Sequence, residues 1–216
     1  MKKIVIAGTG FPDIISIYND LKKTGEKIEL LGFLDDNPSN KKRNLYGYKI
    51  VGGFSWIKDH KDVSVINCIF RSPRVRKDAY CKLISFGAKI ESLIHPSVSG
   101  EYSQISDGVI IGRNVVLEPG VSIASNSVIL HNTVISHDSK IGSFCFIGNN
   151  VSIQGGNIIE DYVFIAAGTT TKPGISIGQK AIIGLNSIIT SDVDQSNTLA
   201  SNPSKIISIK SLEFLL

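Results

Sequence analysis

From Ile105 onward a branched apolar residue returns at every sixth position. The series runs Ile105, Ile111, Leu117, Ile123, Ile129, Ile135, Ile141, Ile147, Ile153, Ile159, Ile165, Thr171, Ile177, Ile183 and Ile189, with Thr171 the one exception to an aliphatic side chain. A helix face repeats every ~3.6 residues, so period six is not helical; it is a multiple of the strand period of two, which holds one face inward and leaves room for a corner in each repeat. The fifth place of the hexapeptide is small or branched (Val109, Val115, Val121, Ser127, Thr133, Ser139, Cys145, Val151), and the second is often Gly, Ala or acidic. Aliphatic residues at one place then stack rung on rung into a continuous core. With three sides to a coil, these repeats predict about five coils spaced roughly 4.8 Å apart. A β-sandwich of short strands would turn at variable intervals of about 8–12 residues, and the strict register argues against it.

The front half alternates differently. Lys3 to Ala7 reads as a short buried strand, followed by Gly8-Thr9-Gly10 and by a helix starting near Pro12 with a face of Ile14, Ile15, Ile17, Tyr18 and Leu21. Ile28 to Leu34 is a second strand ending in Asp35-Asp36-Asn37-Pro38, Val63 to Ile69 a third, Val75 to Phe86 a helix closed by Gly87, and Ile90 to Ile94 a fourth strand running into His95-Pro96. Strand–helix–strand order with short apolar strands predicts a parallel α/β, Rossmann-like domain over 1–97 and an all-β solenoid over 98–216. In Gly8-Thr9-Gly10 the third glycine of a G-x-G-x-x-G turn is missing, because Asp13 stands there. The turn is therefore equally a tight strand-to-helix connection without a ligand. Asp35-Asp36 lies where such folds contact ribose or base, or else caps a loop. The basic cluster Arg71, Arg74, Arg76 and Lys77 reads as a solvated helix start before it reads as a phosphate site.

Composition narrows the function. A net charge of +4 spread along 216 residues does not single out nucleic acid, and an anionic small molecule suits it equally. The cysteines Cys68, Cys81 and Cys145 are odd in number and far apart, so they give neither a disulfide framework nor paired metal-ligand spacing. With no signal-peptide pattern behind Lys2 to Ala7 and no apolar run near the roughly 20 residues that span a bilayer, a reducing, cytoplasmic setting is expected, with no membrane span and no metal.

Two of the histidines, His131 and His137, fall at the third place of a hexapeptide, next to a corner. Counting one coil of eighteen residues on from His137 reaches Gly155, so open space is expected beside the ring, and Asp138 follows at once. A neutral imidazole is a general base at neutral pH, and an adjacent carboxylate orients it and stabilises the imidazolium. Acetyl transfer from a thioester needs little more: the base takes a proton from the attacking amine or hydroxyl, and a backbone N–H meets the oxyanion. From spacing alone, His137 is equally a polar residue outside a solenoid turn. Cys145, at an inward place, reads as core.

Over essentially its whole length the chain resembles the bacterial sugar acetyltransferases that act on nucleotide-activated amino sugars or O-acetylate sialic acid. The residues that carry the resemblance are Gly8-Thr9-Gly10, Gly32-Phe33-Leu34-Asp35-Asp36, Leu93-Ile94-His95-Pro96-Ser97, Val134-Ile135-Ser136-His137-Asp138 and Asn202-Pro203-Ser204-Lys205-Ile206. The resemblance implies a left-handed parallel β-helix, a homotrimer with active sites between neighbouring β-helices, and acetyl-CoA as donor. It makes His137 the catalytic base and Asp138 the residue that raises its basicity. It implies acetyl-CoA contacts at Phe146, Gly155, Ala167, Gly184 and Leu185, and a nucleotide-linked acceptor near Gly10, Phe11, Pro12, Asp35 and Asp36. Phe11-Pro12-Asp13 stand where the family runs Gly-His-Gly, Phe70 replaces a glycine, and Ser201-Asn202 stand for Gly-Val. The changes at Phe11-Pro12-Asp13 and Phe70 fall in the acceptor half.

Overall fold

The structure, a computed structural model, describes residues 1–40, 43–70 and 72–200 and the backbone of Lys205–Ile206. Arg71, Ser201 to Ser204 and the apolar C-terminal run from Ile207 lie outside the described residues. The chain divides into two compact units, Met1–Pro96 and Ser97–Leu216.

The first unit runs β1 (Lys2–Ala7), α1 (Ile14–Lys23), β2 (Ile28–Leu34), β3 (Asn44–Leu45), β4 (Tyr48–Gly52), a 3-10 helix at Phe54–Asp59, β5 (Ser64–Asn67), α2 (Pro73–Ser85), β6 (Lys89–Ile90) and β7 (Leu93–Ile94). Its sheet has the order β3-β4-β2-β1-β5-β6. The pairs β1–β2, β1–β5, β2–β4 and β5–β6 are parallel, and β3–β4 is antiparallel. The chain walks outward from β1 on one side and then returns to its other side. The strand order therefore reverses beyond the carboxyl ends of β1 and β5, the place where open parallel sheets bind ligands.

The elements depart from the sequence expectations in definite ways. The third strand is shorter than Val63 to Ile69, the fourth is broken into two short strands about Glu91-Ser92, and α2 starts two residues early. That early start has a local cause: the Ser72 hydroxyl accepts the Val75 N–H and proline occupies the first turn. The β3–β4 hairpin was not foreseen. Its two-residue turn places Tyr46 at φ 54° and Gly47 at φ 88°, and tyrosine is not a turn signal. Arg76 is a correction: it is buried, not solvated, its guanidinium donates to the Asn67 carbonyl, and burial lowers its pKa to about 10. Val5, Ala7, Leu34 and Val65 pack with Phe54, Ile57, Ala79 and Leu83, while α1 buries Ile14, Ile15, Ile17 and Tyr18.

In the second unit every hexapeptide supplies a two-residue strand, and partners lie one coil apart: Val116 pairs with Val134, Lys140 with Ile158, Phe146 with Phe164, all parallel. The result is a three-sided parallel β-helix. The repeated aliphatic residues fill its interior, Ile111, Ile129, Ile135, Ile147, Ile153, Ile165 and Ile183 being fully buried. Interior packing of this kind makes a large-to-small change costly. Ile147→Ala is expected to destabilise the protein by about 2–5 kcal/mol in a urea melt. The solenoid ends at Thr198–Ala200, to which Lys205–Ile206 adds an antiparallel strand.

The fifth-place hydroxyls have a role beyond size. Ser127, Thr133 and Ser139 donate to the carbonyls of Gly142, Gly148 and Gln154, and they accept the N–H groups of Cys145, Val151 and Asn157 one coil on. Each one satisfies corner backbone groups that turn inward, where an unpaired polar group is costly. Thr171, the exception in the aliphatic series, does the same by accepting the Gln154 N–H at 3.0 Å.

Candidate active site

At one corner of the β-helix the third and fourth places read Pro119-Gly120, His137-Asp138, Gly155-Gly156 and Pro173-Gly174 in successive coils. The fourth place needs a left-handed backbone: φ is 81° at Gly120, 59° at Asp138, 70° at Gly156 and 69° at Gly174. Aspartate tolerates that region better than most residues, so the corner accepts an acid where its neighbours need glycine.

The two glycines that flank the pair make room for it. A Cβ on Gly155 would stand 2.6 Å from His137 Nε2, and one on Gly120 would stand 2.5 Å from Asp138 Oδ1. The imidazole thus lies against the Gly155 backbone on one rung, and the carboxylate lies over Gly120 on the other. His137 Nδ1 and Asp138 Oδ2 are 2.9 Å apart. An ionised carboxylate only accepts, so Nδ1 carries the proton and Nε2 the lone pair. The His137 N–H is held in turn by Glu118 Oε2 at 2.8 Å. The same carboxylate-to-backbone device recurs between Glu160 and the Gln179 N–H, so by itself it is a property of the solenoid.

Both side chains are open to solvent, His137 to 65% and Asp138 to 76%. The hydrogen bond that His137 Nδ1–H donates to Asp138 raises the His137 pKa above the ordinary histidine value, burial opposes it, and the charges of Asp138 and Glu118 raise it further. A base works only when neutral, so kcat/KM should fall as pH drops through that raised pKa. Asp138→Asn removes the main cause. Its expected result is an acid limb displaced to lower pH together with a lower kcat, read from a pH profile; a limb that stays in place contradicts the assignment.

His131 sits on the preceding corner and is built differently. Its Nδ1 accepts the Arg113 N–H at 2.7 Å, which clamps the ring between rungs. Cys145 is buried, burial pushes its thiol up to about 12, and Sγ donates to the Glu160 carbonyl, so it is core. Among the described residues no group of three or more His, Cys, Asp or Glu side chains is placed to hold a metal. No helix among them is long and apolar enough to cross a membrane.

Within the second unit the remaining candidates do not all gather at the His137 corner. Gly155 shares the His137 corner. Ala167, Gly184 and Leu185 occupy the corner of His131, with Leu185 66% exposed. Phe146 lies on the flat side before that corner, its ring stacked on Phe164 with centroids 4.9 Å apart. In the first unit, Asp35 accepts from the Thr9 hydroxyl, the Asn40 amide and the Asn37 N–H. Asp36 accepts the Phe54 N–H and pairs with Lys82 at 2.7 Å. Both carboxylates hold the chain around them. Gly10 has open space where a Cβ would stand, and Phe11 meets Phe70 with ring centroids 4.6 Å apart. The sequence shows each residue as a departure but gives no signal of their contact.

No family model matches the chain. Over 133 residues it is 26% identical to a probable macrolide acetyltransferase of Lysinibacillus sphaericus, covering 56% of this chain and 73% of that protein. Two solved structures share its fold over nearly the full length. The acetyltransferase domain of PglB from Neisseria gonorrhoeae, in complex with acetyl coenzyme A, has a TM-score of 0.83 at 20% identity, covering 95% of this chain and 99% of that one. A mutant of GDP-perosamine N-acetyl transferase from Caulobacter crescentus, in complex with CoA and GDP-perosamine, has a TM-score of 0.84 at 22% identity, covering 96% and 98%.

The curated relative and the similar solved structures agree on an acyltransferase, and the repeat of this chain is a hexapeptide. Within that class the chain has the fold of the sugar acetyltransferases across both of its units, and its three-sided parallel coil fits the left-handed winding of that fold.

Proposed function

We propose that this protein transfers the acetyl group of acetyl-CoA to the amino group of a nucleotide-linked deoxyamino sugar, in the cytoplasm, for surface glycan synthesis. The observation that carries the reading is the His137–Asp138 pair seated between Gly120 and Gly155, with Nε2 free to take a proton. In the proposed step the neutral acceptor amine attacks the thioester carbonyl while His137 Nε2 takes its proton. The Gly155 N–H, beside the ring, meets the developing oxyanion. Collapse breaks the C–S bond, and the leaving thiolate takes the proton from the imidazolium, giving CoA thiol and the acetamido sugar.

Acetyl-CoA is assigned to Phe146, Gly155, Ala167, Gly184 and Leu185. Because the last three sit on a different corner from His137, a second copy of the chain is the natural source of the missing wall, which supports a homotrimer with sites between β-helices. The acceptor is assigned to the first unit near Gly10, Phe11, Pro12, Asp35 and Asp36. Both similar solved structures are described with acetyl-CoA or CoA, and one of them with a nucleotide sugar. A hydroxyl acceptor, such as that of sialic acid, is the second reading, favoured by the altered Phe11-Pro12-Asp13 loop; the macrolide acetyltransferase relative is also a protein of different acceptor. Titrating acetyl-CoA by calorimetry separates enzyme from inert scaffold: saturable binding is expected, and its absence would overturn the reading. Thiol release with paired amino and hydroxyl sugars then identifies the acceptor group.

A further inference from the structure

We propose that Glu118 is a positioning residue for His137: from the preceding coil its carboxylate fixes the main chain of the base, where the following coil is cleared for the ring, and it adds a second negative charge to favour the imidazolium formed in the transfer step. The proposal rests on the reading of His137 as the base and names a residue that serves it.

At several corners of the β-helix the third-place N–H is capped by a side chain. Three of these caps come from the coil that follows, from the third-place residue eighteen positions on. The Arg113 N–H donates to His131 Nδ1, the His131 N–H to Asn149 Oδ1 and the Ser143 N–H to Asp161 Oδ1. His137 cannot be capped that way. The residue one coil on is Gly155, which has no side chain, and a Cβ there would stand 2.6 Å from His137 Nε2. The glycine that seats the ring therefore removes the usual cap of its main chain. Glu118, nineteen residues back, supplies the cap from the opposite side, with Oε2 2.8 Å from the His137 N–H. Glutamate is long enough to cross from the second place of one coil to the third place of the next. Glu160 takes the same route to Gln179, below the last coil, where Ile182 pairs with Thr198 and the eighteen-residue step is lost.

What sets Glu118 apart from Glu160 is the residue it holds. Asp138 and Glu118 are the charged groups that act on the imidazole, and both favour its cationic form. The rungs on either side, Pro119-Gly120 and Gly155-Gly156, carry no charge. Asp138 orients the ring through Nδ1, and Glu118 fixes the chain that carries both residues. A carboxylate is suited to this because its hydrogen bond to a backbone N–H is roughly twice as strong as a neutral one. In the transfer step the ring accepts a proton and then passes it on. A fixed main chain keeps Nε2 aimed through both halves, and the second carboxylate stabilises the imidazolium between them.

The test needs no acceptor sugar. In protein labelled at its four histidines, the His137 resonance is identified by its loss in His137→Ala and its pKa is read by NMR titration. Hydrogen exchange of the His137 N–H is measured alongside. Glu118→Gln keeps an acceptor oxygen and removes the charge, whereas Glu118→Ala removes both. The His137 pKa should fall in both variants, by less than in Asp138→Asn, because Asp138 is the larger cause. The His137 amide should exchange about tenfold faster or more in Glu118→Ala, the loss expected of a charge-assisted hydrogen bond, and more slowly than that in Glu118→Gln. Unchanged titration of His60, His95 and His131, with a thermal melt of each variant, confirms that the fold is kept. The same His137 pKa in wild type and Glu118→Gln would make Glu118 a cap and nothing more, and would overturn the proposal. Unchanged amide protection in Glu118→Ala would overturn it too, because the main chain would then be held without Glu118. If Glu118→Ala does not fold, the titration of Glu118→Gln still decides. Neither readout uses turnover, so failure here is distinguishable from failure of the acetyl-transfer reading.

Discussion

Replacing His137 with alanine should lower kcat for thiol release by about 10²- to 10⁴-fold, the usual contribution of a positioned general base, and leave acetyl-CoA binding unchanged. The ring is largely exposed and makes no core contact, so the fold should survive its removal. The backbone N–H that Glu118 holds remains in the variant, and the corner keeps its geometry. Calorimetry with acetyl-CoA and a thermal melt are the controls. A fall in KM-dependent binding with kcat intact would make His137 a contact and not a base.

Gly155→Ala should be nearly as damaging although it adds one carbon. That carbon would fall 2.6 Å from Nε2 and 2.8 Å from the adjacent ring carbon, so the imidazole must swing out of its place. Gly155 is not in the left-handed region, so alanine costs the backbone little there. A misplacement of about 1 Å at a reacting group can cost 10²-fold, and a loss of that size in kcat is expected with an unchanged melting temperature. Retention of full activity would mean that the ring works in another rotamer. Gly120→Ala is a harsher companion, because Gly120 lies at φ 81° and its Cβ would strike Asp138.

The sequence and the structure differ most where partners are far apart in the chain. The sixfold aliphatic series is legible because a period states itself, and counting one coil on from His137 reaches Gly155 in the sequence alone. Ile28–Leu34 was legible as an apolar run between polar turns. The Tyr46-Gly47 hairpin was not, since tyrosine at positive φ leaves no signal. Nor was the work of Ser127, Thr133 and Ser139, which in sequence are merely small and in space satisfy inward-turned corners. Asp35 and Asp36 stood where ribose contacts are expected, yet their hydrogen bonds run to Thr9, Asn40 and Phe54, residues chosen by the fold and not by spacing. Phe11 and Phe70 were each visible as a departure, but their contact needs the strand order that brings the two loops together. Arg76 read as solvated because a helix start rich in basic residues usually is; its burial follows from the turn of α2 against β5.

The central claim is that the corner of His137 and Asp138 transfers an acetyl group from acetyl-CoA to a sugar amine. Its most direct test is thiol release from acetyl-CoA with UDP-, GDP- and dTDP-linked 4-amino sugars, run side by side with wild-type protein and His137→Ala. The account predicts turnover of at least one of these sugars by the wild type, with an acetamido product, and its near-complete loss in the variant. Equal turnover by the two proteins, or saturable acetyl-CoA binding with no transfer to any amine in the panel, would contradict it.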